Sequence, residues 1–263
     1  MSPSLQYYFS QRVKHVFNDL YDLEANGDAV SLHDLRLELK KIRAITVFLR
    51  SIYPRQKLKK ACGRLKSIFS EAGEIRELQL FHQWLEKQEL TAFRSYFPEE
   101  ELLTLAADFQ QRTGDHKQVL KEAIEDIEQF VQATNQILAE QYVVDLYSQV
   151  IDRVRSRPGP GEWHGLRKLI KQWIYALNWL GQEERAKAET DLAYYKKLQE
   201  IIGYWHDAEM IRETLYRKKI YLSQDLEVQK SFARAIQKIN QSLRYRERQV
   251  LEMLGKKEVA IAG

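Results

Sequence analysis

A stripe of basic residues at helical spacing occurs twice in this 263-residue chain, each time opposite an apolar stripe. In SLHDLRLELKKIRAITVFLRSIYP (31–54), roughly 100° of turn per residue gathers His33, Arg36, Lys40 and Arg43 into a sector of about 80°. Leu35, Leu39, Ile42, Ile45 and Leu49 take the opposite side with the spacing of a buried helix face. WHGLRKLIKQWIYALNWLG (163–181) repeats the pattern, with His164, Arg167 and Lys171 standing 131 positions after His33, Arg36 and Lys40. A second pair of stretches follows in the same order. Lys66, Gly73 and Arg76 match Lys196, Gly203 and His206, 130 positions on. Two motifs recurring at nearly one offset read as an internal duplication. The expectation is one domain over 1–263, with repeats of about 1–133 and 134–263.

The rest of the chain is legible as helix. Eleven glycines and five prolines are too few for an all-β fold with many tight turns. Residues 3–25 have an apolar face and end at the turn Asn26-Gly27-Asp28. Ser31 and Asp34 resemble a capping box at the start of the basic helix, and Pro54 lies past its end. Beyond Pro54 the run RQKLKKACGRLK places Lys59 and Lys66 on one face, and Gly73 interrupts the pattern. Pro98 and the acids after it form a helix start. Thr113-Gly114-Asp115 is a break. A long helical stretch with a bend or break runs from about Lys117 to Arg155, its apolar residues including Ile124, Ile127, Val131, Ile137, Leu138, Val143, Val144, Leu146, Val150 and Val154. Arg157-Pro158-Gly159-Pro160-Gly161 is a linker into the second basic helix. Helices at about 183–202, 204–221 and 225–254 complete the chain, and the tail KKEVAIAG reads as frayed. The fold class is all-α: two similar antiparallel helical bundles.

Charge is distributed unevenly. Segment 31–66 holds eleven Lys/Arg against Asp34 and Glu38, a local +9, which leaves −5 for the rest of a chain of net charge +4. That asymmetry points to a localised anion-binding surface. Arg36 and Arg167 suit phosphate because a guanidinium donates two parallel hydrogen bonds. His33 and His164 are read in the first turns of their helices, where free N–H groups favour an anion and disfavour a protonated ring. A row of cations along a helix suits a polymer better than one phosphate. Tyr175 is placed near His164 and Lys171.

Other chemistries find little support. None of the six histidines follows a glutamate by three positions, and His82 with Glu86 is an isolated surface pair. No metal site and no cofactor are expected. No nucleophile elbow, P-loop or dinucleotide fingerprint is present. Cys62 is the single cysteine, so no internal disulfide and no cysteine-based zinc site forms. No apolar run approaches the ~18 residues that span a bilayer, and a reducing, cytoplasmic location is the default.

His33-x-x-Arg36-x-x-x-Lys40-Lys41-x-Arg43, Lys66…Gly73-x-x-Arg76, His164-x-x-Arg167-x-x-x-Lys171 and Lys196…Gly203-x-x-His206-Asp207 together resemble the CHAD family, the conserved histidine α-helical domain. The resemblance spans nearly the whole chain. It implies two helical bundles about a pseudo-two-fold axis with a basic central surface. It also implies a non-enzymatic, stand-alone module that binds inorganic polyphosphate in the cytoplasm, with a link to polyphosphate granules. The expected groove is lined by His33, Arg36, Lys40, Lys41, Arg43, Lys59, Lys66 and Arg76 from the first half. The second half supplies His164, Arg167, Lys168, Lys171, Lys196, Lys197 and His206. Departures are Glu77, where aspartate is expected, and Gln172 and Ile174, which replace the counterparts of Lys41 and Arg43. Two other occupants stay open: a polynucleotide bound without base reading, and an acidic protein partner.

Overall fold

Every described element is helical, and among the described residues there is no strand. The structure, a computed structural model, describes residues 4–27, 29–88, 90, 96–181, 185–186, 191–217 and 224–261, with side chains described as far as Gly255. The principal helices are α1 (Leu5–Asn26), α2 (Ala29–Ile52), α3 (Gln56–Lys87), α4 (Glu100–Gln111), α5 (Thr113–Ala133), α6 (Gln136–Arg155), α7 (Pro160–Ala176), α8 (Leu192–Arg217) and α9 (Leu226–Ile261). A 3-10 turn, Leu177–Trp179, follows α7.

Helix boundaries follow local chemistry. Ser4 caps α1 by accepting from the Tyr7 N–H, and Gly27 ends it at a φ of 63°. The Gly27 N–H donates back to the Leu23 carbonyl. Pro160 opens α7, where its missing N–H costs nothing. The preceding turn is closed by the buried Trp163, whose indole N–H donates to the Pro158 carbonyl at 2.7 Å.

The chain divides into two compact units. The first comprises residues 1–76, 102–147 and 172–190; the second comprises 77–101, 148–171 and 191–263. Residues 172–181, from the second half of the sequence, group with the first unit. In the first unit, Leu35, Leu39, Ile42, Ile45 and Leu49 of α2 are fully buried, as their spacing predicts. Phe48 packs against Tyr142 and Trp179 with ring centroids 4.7 and 5.5 Å away. The Gln136 side chain accepts from the Leu5 N–H and donates to the Trp179 carbonyl, joining two chain segments through one amide. In the second unit, Trp163 meets Trp205 edge to face at 5.1 Å, and Trp163, Leu166, Ile170, Leu198, Ile202 and Leu215 are buried.

Several sequence expectations need correction. The basic helix begins at Ala29, so Ser31 is an interior, buried residue and not a cap. Gly73 and Gly203 do not break their helices: α3 and α8 run straight through them. The first nine residues of the helix expected over 183–202 lie largely outside the described residues. The backbone of α9 stays helical to Ile261, where fraying was expected. The long helical stretch does break, at Thr134-Asn135 between α5 and α6. That break resets the helical phase. Ala139, Val143, Leu146, Val150 and Val154 are buried, while Ile137, Leu138 and Val144 face outward despite being apolar. In α9, Leu251 is likewise exposed and Leu254 buried. His82 is buried beside Phe81, where a surface position was expected.

Candidate functional site

The basic stripe of α2 packs against α3 within the first unit. Arg36 Nη1 donates to the Phe69 carbonyl at 2.9 Å. In a helix that oxygen already accepts from the N–H four residues on, at Gly73; Arg36 uses its second lone pair. Reaching it takes the guanidinium over the surface of α3. A Cβ on Gly73 would stand 2.8 Å from Arg36 Nη1, so the absence of a side chain is what lets the arginine in. The Phe69 ring lies beneath three cations: Arg36 and Arg43, each 4.5 Å from its centroid, and Lys40 at 5.8 Å. Cation–π attraction holds each by about 0.5–2 kcal/mol, and the like charges repel one another. The result is a row of cations over one phenyl ring.

His33 and Arg76 complete this cluster. Burial first, and the Arg76 charge second, hold His33 below the usual histidine range; Lys40 and Arg36 act in the same direction. Burial also lowers Arg43, which faces Cys62. The cause assigned to the histidine from sequence was wrong in part. His33 and His164 are both the fifth residues of their helices, beyond the four unpaired N–H groups. Burial and neighbouring cations lower them, not the helix end.

The second unit has the same arrangement. Arg167 Nε donates to the Gln199 carbonyl at 3.2 Å. Gln199 precedes Gly203 by four residues, as Phe69 precedes Gly73. A Cβ on Gly203 would stand 3.0 Å from Arg167 Nε and Nη2. The His164 ring lies 4.7 Å from that of His206, which occupies the place of Arg76. Burial first, then Lys168, His206 and Arg167, keep His164 below its ordinary value. Besides His206 for Arg76, the clusters differ in what lies beneath the arginine: Gln199 stands where Phe69 does, so the second cluster has no aromatic ring at that position.

The structure therefore unites His33, Arg36, Lys40, Arg43 and Arg76 in one cluster, and His164, Arg167, Lys171 and His206 in another. Lys59 and Lys66 are exposed on α3, and Lys168 and Lys196 on α7 and α8. Lys197 is exposed too and pairs with Glu200 at 2.9 Å. Lys41 stands apart, since it pairs with buried Glu38, which also accepts two hydrogen bonds from Arg12. Gln172, its counterpart by sequence, donates to the Ala44 carbonyl at 2.7 Å within the first unit. Tyr175 also belongs to the first unit. Sequence reasoning missed Phe69. Its position one turn before Gly73, on the face of Lys66 and Arg76, is the signal that was available.

Among the described residues, no group of three or more His, Cys, Asp or Glu side chains is arranged to hold a metal. No described helix is long and apolar enough to cross a membrane. The CHAD domain model matches residues 8–216, and the chain belongs to the CHAD family. That family is known for polyphosphate binding in general and is a binding rather than a catalytic family. The crystal structure of the CHAD domain from the plant Ricinus communis is similar in fold, with a TM-score of 0.72 at 13% identity over 97% of this chain and 92% of that one. No curated protein matches the chain.

Proposed function

We propose that this chain binds inorganic polyphosphate, without catalysis, on the two cationic clusters. Arg36, Lys40, Arg43, Arg76, Arg167 and Lys171 contact phosphate oxygens. His33 and His164 add charge as the polymer draws protons onto them, and His206 packs against His164. Exposed Lys59, Lys66, Lys168, Lys196 and Lys197 extend the contact. The observation that carries this reading is the arginine seated over a glycine in both units. Each arginine donates to a backbone carbonyl, a neutral group that does not compete with phosphate for its charge. A polymer of phosphates offers charge at regular spacing and nothing else to read, which matches a row of cations. The reading places the protein in the cytoplasm, at polyphosphate granules.

The deciding experiment is a titration of long-chain polyphosphate against single-stranded DNA, at equal charge concentration and near-physiological salt. Preference for polyphosphate supports the proposal. Equal affinity reduces the protein to a general polyanion binder, and binding of neither overturns the proposal in favour of an acidic protein partner.

A further inference from the structure

Lys171 differs from the other lysines of the clusters. It closes the row His164, Arg167, Lys171 on α7, and it is half-buried. Lys41 and Lys197 pair with Glu38 and Glu200. Among the described residues the Lys171 amine has no hydrogen bond or ion pair. The charges that act on it are Arg167, one turn earlier on the same helix, and Asp207 on α8. A half-buried ammonium facing a guanidinium sheds its proton readily. Burial first and Arg167 second push Lys171 down to about 8, against the opposing pull of Asp207. A lysine of this kind is a nucleophile near neutral pH.

The same neighbours make the site attractive to anions. Arg167 is fixed over Gly203 by the Gln199 carbonyl, and Lys168, His164 and His206 stand beside it. A reagent that carries both a phosphate and an electrophilic carbonyl meets both properties at once. We propose that Lys171 is an acylation site for acyl phosphates, with Arg167 guiding the phosphate end of the reagent. The amine nitrogen attacks the carbonyl carbon and forms an amide. The carbon–oxygen bond to phosphorus breaks, and inorganic phosphate leaves with the electron pair and takes up the proton lost by nitrogen. No oxidant or reductant is needed. Acylation removes the Lys171 charge. Its consequence for polyphosphate affinity, a decrease, rests on the function proposed above; the acylation itself does not.

The test exposes the full chain to acetyl phosphate at pH 7.5 and follows acetylation of each lysine by mass spectrometry. Lys171 is expected to react at least tenfold faster than exposed Lys59, Lys66 and Lys196, with a rate that rises with pH and levels off above about 8.5. A neutral acetyl ester, N-hydroxysuccinimide acetate, separates nucleophilicity from guidance: Arg167→Gln should slow acetyl phosphate more than the ester. Equal slowing of both reagents overturns the guidance by Arg167. Reaction of Lys171 no faster than the exposed lysines overturns the site. Lys171→Arg, with helical content checked by circular dichroism, supplies the unreactive control. Fast acetylation in a protein that fails to bind polyphosphate overturns only the function proposed above. Slow acetylation in a protein that binds polyphosphate overturns only the acylation site.

Discussion

Gly73 and Gly203 are where single atoms decide the site. A methyl group at Gly73 would lie 2.8 Å from Arg36 Nη1, so the guanidinium must shift from its place on the Phe69 carbonyl. Gly73→Ala is expected to weaken polyphosphate binding severalfold, with a stability change within about 1 kcal/mol, measured by titration and by urea unfolding of the same samples. Gly203→Ala should do the same through Arg167. The histidines make binding pH-dependent. His33 and His164 are held below their ordinary pKa in the free protein. A bound polyanion favours their protonated forms, so affinity should rise as pH falls from 7.5 to 5. His33→Gln combined with His164→Gln should flatten that profile in isothermal titrations across the range. Asp19 supplies a stability effect of a different kind. Burial first, then Glu38, Asp34 and Asp22, raise it to about 6. The protonated form is the one the fold favours, so this contribution is complete below about pH 3.8 and is lost as pH rises through 6. Asp19→Asn should therefore stabilise the protein at pH 7.5 relative to pH 4. Asp19 is part-exposed, and solvent screening brings the expected gain down to about 1 kcal/mol, read from urea unfolding at the two pH values.

At the scale of the element, α2 carries two basic surfaces with different duties. One is the stripe over Phe69. The other is Lys41 together with Arg12 from α1, both drawn to Glu38. Adjacent lysines should thus behave differently. Lys40→Gln is expected to reduce polyphosphate affinity while leaving stability nearly unchanged. Lys41→Gln should lower stability by about 1 kcal/mol, since it removes one of two partners from a buried carboxylate, with little effect on affinity. Paired titration and thermal-melt measurements distinguish them. Periodicity placed Lys40 on the stripe, whereas Lys41 entered the expected groove only through the family resemblance; its pairing with Glu38 was not readable in one helix, because Glu38 is also held by Arg12 of another. The same boundary of legibility appears in α6. The apolar spacing of Val143, Leu146, Val150 and Val154 was readable, and these residues are buried. Ile137, Leu138 and Val144 were misassigned because the break at Thr134-Asn135 shifts the phase.

For the molecule as a whole, the all-α class and the family were legible because paired motifs survive at nearly constant offset. The compact units were not. Borders fall inside α3, α4, α6 and α7, between residues that continue one helix, and no local signal marks them there. Nor did the sequence disclose that Phe69 organises three cations, since one aromatic residue on a helix face is ordinary. A binding surface made of many cations has a global signature in salt. The logarithm of affinity should fall linearly with the logarithm of salt concentration as counterions are released. Replacing Arg36, Lys40 and Arg43 together by Gln should make that slope measurably shallower, with circular dichroism unchanged. A slope equal to that of the unaltered protein would remove the α2 stripe from the contact surface.

Alanine usually outperforms glycine inside a helix by about 1 kcal/mol. Helices α3 and α8 each leave that gain unused at a buried, mid-helix glycine, and α3 does so again at exposed Gly63. A screen for thermostable variants would be drawn to Gly73 and Gly203 wherever an alanine is tolerated. Each such step would displace the arginine resting there. In directed evolution of this chain, heat resistance and polyanion capture should compete at two positions, and a selection that rewards only the first should recover alanine there.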